Sequence, residues 1–242
     1  MNYQDVLAKL GAGSAHPGGL GSTLTWLNYL DLSAKSRVLE VGCGTGRSLL
    51  KIQETFNCQV VGVDIRPEMI EKAKIRSMKR EQTAEWFVSR AERLPFTDGS
   101  FDCCITESVN VFVDVEKALS EYKRVLAPDG LYVDVEMVLM APVDHQFLVS
   151  AQNIYGLRQV PTLKLWKKLY GSVGFETVRV LRMGSVNLMD ASVTDASQAD
   201  TIDVSSPGAM EDKRILKVLQ QNADWMQSYS NRLGYAIFLC KV

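Results

Sequence analysis

The stretch Val38-Leu39-Glu40-Val41-Gly42-Cys43-Gly44-Thr45-Gly46 limits what this chain can fold into more than any other part of it. An apolar run of strand length ends abruptly in closely spaced glycines, and Arg47 to Phe56 then carries Leu49, Ile52 and Phe56 on one helical stripe. The pattern predicts a buried strand turning tightly into a helix. Glycine tolerates positive φ and has no Cβ, so the backbone N–H groups of such a loop can approach a ligand that a side chain would hold off. The helix N-terminus adds partial positive charge directed at the loop. Gly42, Cys43, Gly44 and Gly46 are therefore the candidate floor of a binding site, with a plain β-α turn as the alternative.

The rest of the chain continues the strand and helix alternation. Cys58 to Val63 is a continuous apolar strand with Asp64 at its C-terminal end, followed by a helix from Pro67 to about Lys79. In doubly wound sheets an acidic residue at the end of the second strand accepts hydrogen bonds from ribose hydroxyls, and Ile65 next to it can pack on a base; a helix-capping carboxylate is the other reading of Asp64. The charges Lys72, Lys74, Arg76, Lys79 and Arg80 on that helix read as a solvated outer face. Further strands are expected at Glu85 to Val88, Phe101 to Thr106, Leu131 to Val138, Phe175 to Leu181 and Tyr235 to Val242. Helices are expected from Asp114 to Leu126, from Pro161 to Gly174 and from Met210 to Arg232. Ahead of the glycine loop, Val6, Leu7 and Leu10 suggest a short helix closing over the domain. A loop containing His16-Pro17-Gly18-Gly19 then leads to a helix starting at Ser22 or Thr23. That loop reads either as a flexible linker or as backbone lying against a ligand.

Composition excludes several classes. With 27 Lys and Arg against 28 Asp and Glu the net charge is -1, so no global basic field holds a phosphate backbone, which argues against nucleic acid. No stretch reaches membrane-span length and the Met1 end lacks signal-peptide character, which fits a soluble cytoplasmic protein. The 5 cysteines include no C-x-x-C pair and the 2 histidines, His16 and His145, lie far apart, so buried reduced thiols and no metal are expected. The length suits one α/β domain over 1–242. Within it, 1–35 forms N-terminal cap helices and the HPGG loop, 36–140 a cofactor-binding half, and 141–242 a substrate-side half. Residues 184–208 contain no Lys or Arg and read as a surface insertion or lid.

The G-x-G-x-G spacing differs from the dinucleotide fingerprint G-x-G-x-x-G. With Glu40 ahead of it, the stretch resembles motif I of the class I S-adenosylmethionine-dependent methyltransferases, of the methyltransferase type 11 or ubiquinone-biosynthesis-methyltransferase-like kind. Arg90-Ala91-Glu92-Arg93-Leu94-Pro95-Phe96 through Asp102 resembles that family's D-A-x-x-L-P-F-x-D-x-S-F-D segment, and Glu121 to Gly130 resembles its connection between strands four and five. A Pro-Gly-Gly stretch ahead of motif I resembles a feature of one subgroup. The resemblance covers about residues 36 to 135 and implies a Rossmann-like, doubly wound seven-stranded sheet with the last strand antiparallel, in three α/β/α layers. It implies S-adenosyl-L-methionine as cofactor and S-adenosyl-L-homocysteine as product. Arg90 departs from the family, where many members carry an acidic residue that accepts from the adenine amino group. A backbone group near Ala91, or Glu92, takes that contact, or packing alone holds adenine.

By the switch-point rule the ligand crevice lies outside the carboxyl ends of strands one and four, so Glu107 and Ser108 face the reacting centre; that Gly18 and Gly19 lie against the cofactor is what the subgroup resemblance of the Pro-Gly-Gly stretch implies. Histidine alone titrates near neutrality when unperturbed, which makes His145 and His16 the candidate general bases, His145 being equally readable as an exposed loop residue. Phe147 and Tyr155 are the candidate acceptor contacts, because 141–160 is apolar and has Arg158 as its one cation. The implied reaction is methyl transfer to a small-molecule acceptor by in-line displacement. A protein or RNA substrate, or cofactor binding without catalysis, are the alternatives. A homodimer is compatible with the sequence.

Overall fold

The computed structural model describes residues 1–186 and 202–242. Seven strands, β1 (Arg37–Val41), β2 (Gln59–Asp64), β3 (Glu85–Val88), β4 (Phe101–Glu107), β5 (Leu126–Leu139), β6 (Thr177–Ser185) and β7 (Leu233–Lys241), form one sheet in the order β3-β2-β1-β4-β5-β7-β6. The pairs from β3 to β5 are parallel, whereas β7 runs antiparallel to both β5 and β6. The chain steps outward from β1 to β3 and then returns to lay β4 on the other side of β1. The topological switch therefore falls between β1 and β4.

Eight helices are described: α1 (Tyr3–Leu10), α2 (Gly19–Leu27), α3 (Arg47–Phe56), α4 (Pro67–Lys79), α5 (Val115–Val125), α6 (His145–Tyr155), α7 (Leu163–Ser172) and α8 (Lys213–Tyr229). Successive strand residues point to opposite faces, so Val38, Val60 and Cys103 pack with Trp26 of α2 and with Leu49 and Ile52 of α3. Their neighbours Leu39, Val61 and Cys104 belong to the opposite core with Leu119 and Tyr122 of α5, Phe147 of α6, Trp166 and Tyr170 of α7, and Trp225 of α8. Apolar side chains on both faces are what a mainly parallel sheet requires, and they give the expected three layers.

Local details differ from the sequence reading. Helix α2 begins at Gly19, earlier than Ser22 or Thr23, because Gly18 takes the left-handed cap conformation (φ 78°) and the Ser22 hydroxyl bonds back to the Gly19 carbonyl at 2.8 Å inside the first turn. Strand β5 starts at Leu126, ahead of the Ala127-Pro128-Asp129-Gly130 turn, and absorbs that turn as a register shift against β4, with Asp129 at φ 64°. The basic face of α4 is not all solvated. Met69, Lys72, Ala73 and Arg76 share a buried stripe that faces α1 and the glycine loop. Of the expected insertion at 184–208, residues 187–201 lie outside those described. Its later part is seated: Val204 is buried and the Ser206 N–H donates to the Lys9 carbonyl.

Candidate active site

A cavity of about 240 Å³ opens at the carboxyl ends of β1, β2 and β4, where the switch-point rule puts a ligand. Its floor is the glycine loop. Gly42, Gly44 and Gly46 have φ values of 72°, 52° and 77°, but they serve different needs. A Cβ on Gly42 would stand 2.3 Å from Val109 Cγ2 and one on Gly46 would stand 2.4 Å from the Trp86 ring, so these two permit close packing beneath the loop. A Cβ on Gly44 would meet nothing within 4 Å, so Gly44 leaves its face open to the cavity. Arg76, itself buried, fixes the loop from behind by donating from Nε to the Thr45 carbonyl at 2.9 Å and from Nη2 to Thr45 Oγ1 at 3.1 Å.

Three carboxylates reach this cavity. Asp64 at the end of β2 accepts from the Gly44 N–H (3.0 Å) and the Arg66 N–H (2.8 Å), and burial raises its carboxyl above the ordinary range. Glu40 is buried in β1 with one oxygen, Oε2, that has no hydrogen-bond partner. Its pKa is pushed well up by burial first and then by the nearby negative charge of Glu107. Glu107 at the end of β4 is a structural hub: Oε1 accepts from Thr23 Oγ1 (2.7 Å) and Trp26 Nε1 (3.0 Å), and Oε2 accepts from Ser48 Oγ (2.5 Å). His16 Nε2 lies 3.2 Å from the same Oε2. Glu107 thus ties α2, α3 and the HPGG loop to one strand end.

Ser108 follows in the left-handed region (φ 61°), a conformation that costs a non-glycine residue about 1 kcal/mol or more. It is held there from below. Its N–H donates to the Val135 carbonyl, and the Val109 and Asn110 N–H groups both donate to Glu136 Oε1. Next to Glu136, buried Asp134 accepts from Thr106, Asn110 and Tyr170, yet burial still pushes its carboxyl up to about 6.

The cavity brings together Gly18, His16, Gly42, Cys43, Gly44, Asp64, Glu107, Ser108 and Tyr155 from the sequence candidates. It does not bring in the others. His145 is exposed at the first position of α6, which Asp144 caps through the Phe147 N–H. Phe147 is fully buried against Trp225 and Tyr229, so it is core and not a cavity wall. Gly19 lies inside the first turn of α2, and Ile65 is more than half exposed outside the wall. Ala91 is buried in the core, and Glu92 accepts from the Asp114 N–H at 3.3 Å and lies 3.4 Å from Arg90. His16 has both ring nitrogens near protein partners, Nδ1 at 3.3 Å from Ser22 Oγ and Nε2 beside Glu107 and Thr23. The Cys43 thiol is pushed well up by burial and then by Asp64 and Glu40, which keeps it protonated.

The sequence led to a short helix closing over the domain, but not to the residues that form the upper wall of the cavity. Tyr3, Gln4 and Leu7 come from α1, Phe112 from the loop after β4, Met137 from β5 and Met226 from α8. The start of α1 did carry a signal, since Asn2 and Asp5 form a reciprocal capping box. Nothing local marks Phe112, Met137 or Met226 as different from core.

A doubly wound sheet with a glycine-floored, carboxylate-lined cavity at its switch point defines a nucleoside-binding α/β protein. Residues 39–133 match the family model described as a methyltransferase domain. An uncharacterized methyltransferase of Bacillus subtilis, YodH, is 29% identical over 237 residues, covering 98% of this chain and 97% of its own. The ubiquinone/menaquinone biosynthesis C-methyltransferase of Citrifermentans bemidjiense is 36% identical over 189 residues, 66% of this chain and 80% of its own. In fold, the chain matches Haemonchus contortus phosphoethanolamine N-methyltransferase 2, solved with phosphomonomethylethanolamine and S-adenosylhomocysteine. The TM-score is 0.73 at 19% identity, over 99% of this chain and 56% of that one. The chain belongs to the class I S-adenosylmethionine-dependent methyltransferase family, and S-adenosylmethionine is its methyl donor. Among the described residues no helix is long and apolar enough to cross a membrane, and no group of His, Cys, Asp and Glu could hold a metal ion.

Proposed function

We propose that the enzyme methylates a small-molecule acceptor inside this cavity. The carrying observation is the roof: α1 lays Tyr3, Gln4 and Leu7 over the glycine loop, with Tyr155 and Met226 beside them, so the acceptor is received in a partly covered cavity beside the cofactor and not along an exposed surface groove. A protein or RNA substrate would need an open groove with cations along it.

The residues present fit the cofactor. It carries a cationic sulfonium and an ammonium group, and the cavity offers Glu40 with an unsatisfied buried oxygen, Asp64 and Glu107, with no Lys or Arg among the described residues of its lining. Asp64 would accept from the ribose hydroxyls, Glu40 would draw in the ammonium end, and the open face of Gly44 would admit the amino-acid portion over the loop. S-adenosylmethionine supplies an electrophilic methyl group on sulfur. The chain's own contribution is positional: a rigid loop braced by Arg76 and a strained Ser108 braced by Glu136 hold the floor still, and the HPGG loop, joined through His16 to Glu107, closes over it. Fixing two reactants at near-attack distance removes on the order of 7–11 kcal/mol of barrier in well-oriented cases. The roof excludes water from the sulfur.

Calorimetry with S-adenosylhomocysteine, followed by methyl-transfer assays over a panel of metabolites, protein and RNA, tests this. Turnover of a protein or RNA with no turnover of any small molecule would refute it.

A further inference from the structure

Buried His16 meets hydrogen-bond acceptors on both sides of its ring. Ser22 has a single hydroxyl hydrogen, directed to the Gly19 carbonyl at 2.8 Å and the Pro17 carbonyl at 3.1 Å. What it turns to His16 Nδ1, 3.3 Å away, is therefore a lone pair. Thr23 gives its hydroxyl hydrogen to Glu107 Oε1 at 2.7 Å, so it too offers only a lone pair to His16 Nε2 at 3.4 Å. The other neighbour of Nε2 is Glu107 Oε2 at 3.2 Å. That carboxyl group accepts from Thr23, Trp26 and Ser48, the pattern of an ionised carboxylate. A neutral imidazole carries one ring hydrogen and would leave a nitrogen lone pair facing an oxygen lone pair. The imidazolium donates from both nitrogens and satisfies both sides.

The charges facing this pair come from several elements. Glu40 of β1 and Asp64 of β2 line the same cavity, and among the described residues of its lining His16 is the one side chain that can be a cation. Arg47 of α3 lies near the loop and reaches Ser14 Oγ at 3.3 Å. At this point α2 presents the uncharged Ser22, Thr23 and Trp26, and α3 presents Ser48. An imidazolium on Glu107 thus offsets one of three carboxylates.

We propose that His16 is held as an imidazolium on Glu107 and that this pair sets how strongly the enzyme prefers its cationic methyl donor over the product. The inference rests on the methyltransferase reading of the cavity. S-adenosylmethionine and S-adenosylhomocysteine differ by a methyl group and by the positive charge on sulfur, so the net charge of the wall separates their affinities. Methyl transfer discharges that sulfur. A wall with Glu107 uncompensated would stabilise the donor more than the transition state and slow the step, and His16 removes that excess attraction. A ring that donates from both nitrogens has no lone pair to take a proton, so His16 is a positioning residue and not the general base that its residue type suggested.

The full chain, S-adenosylmethionine and S-adenosylhomocysteine suffice for the test. With 2 histidines in the chain, the His16→Gln spectrum assigns the ring signals. Nitrogen-15 NMR of the unaltered protein at about pH 7 should show both His16 ring nitrogens protonated. An unprotonated ring nitrogen there overturns the charge assignment whether or not the variant folds. Calorimetry then gives the ratio of the two affinities. The Gln side chain in His16→Gln can still donate to Glu107 but carries no charge, so the preference for S-adenosylmethionine over S-adenosylhomocysteine should rise about three-fold or more. A merely loosened HPGG loop would weaken both ligands alike, so an unchanged or lower ratio overturns the proposal while the methyltransferase reading stands. If neither ligand binds the unaltered protein, the reading of the cavity fails and the proposal with it.

Discussion

Gly42 and Gly44 stand two positions apart in the same loop, and both need glycine, yet their substitution should fail in different ways. At Gly42 a methyl would strike Val109 at 2.3 Å in a positive-φ conformation, so Gly42→Ala should lose about 2 kcal/mol or more of folding stability, read by denaturant melts. At Gly44 the space is open, so Gly44→Val should still fold at a cost of about 1–2 kcal/mol for its φ, while binding of S-adenosylhomocysteine is abolished. Tight binding by that variant would show that the loop face does not touch the cofactor. Asp64→Ala should weaken the same ligand by about 2 kcal/mol or more, since a charged acceptor is lost from buried hydroxyl donors. Unchanged calorimetric affinity would remove Asp64 from the site.

Glu40 permits a pH test at the same scale. Its folded pKa lies well above the ordinary 4.5, so the buried acid is favourable below that value and this contribution is lost as pH rises through the folded pKa. Replacing it by an isosteric neutral amide removes the penalty of ionising it. In the ligand-free state Glu40→Gln should match the parent protein in melting temperature near pH 4 and exceed it increasingly toward pH 8, while its affinity for S-adenosylmethionine falls. A melting-temperature difference that does not change with pH would mean that Glu40 ionises freely in the fold.

Between elements, the strand-and-helix alternation was legible because parallel strands buried on both faces read as continuous apolar runs, and the glycine loop, Asp64 and Glu107 could each be placed at a strand's carboxyl end from where those runs stop. What stayed hidden needed tertiary contacts. Lys72 and Arg76 look in sequence like their solvated neighbours Lys74 and Lys79, since a helical stripe of mixed character names no partner. Only the packing of α4 under α1 shows that Lys72 reaches carbonyls at the end of α1, Ser206 and Glu68. Phe147 and Tyr155 are alike by composition and both are buried in the same core, but α6 brings Tyr155 to the edge of the cavity and keeps Phe147 away from it. The latch has a consequence. Lys72→Met should leave the sheet folded but loosen α1, with a loss of about 2 kcal/mol in stability and faster hydrogen exchange confined to residues 3–10. Unchanged exchange there would show that apolar packing by Val6 and Leu7 holds α1 without the lysine.

Over the whole molecule, the parts that close the cavity differ in kind from the parts that form its floor. The floor is sheet-anchored: Glu40, Asp64 and Glu107 are strand ends, and the loop between them is bonded to Val63 and Arg76. The roof is α1, tied down by Arg66, by Lys72 and by the seated segment at Val204 and Ser206, together with an HPGG loop pinned to Glu107. A roof that lies outside the sheet, held by these polar contacts and by two small apolar clusters around Val6 and around Leu7 and Ala8, opens at lower free energy than a floor inside the β-ladder, and local opening is how a covered cavity exchanges ligand. Amide exchange should therefore be fast at residues 3–22 in the free protein and slow sharply when S-adenosylhomocysteine and a bound acceptor analogue close the space. Strand residues of β1 and β4 should be protected in both states. Protection that rises only at the glycine loop and Asp64, with residues 3–22 unchanged, would mean that α1 and the HPGG loop are fixed walls and that the acceptor enters by another side.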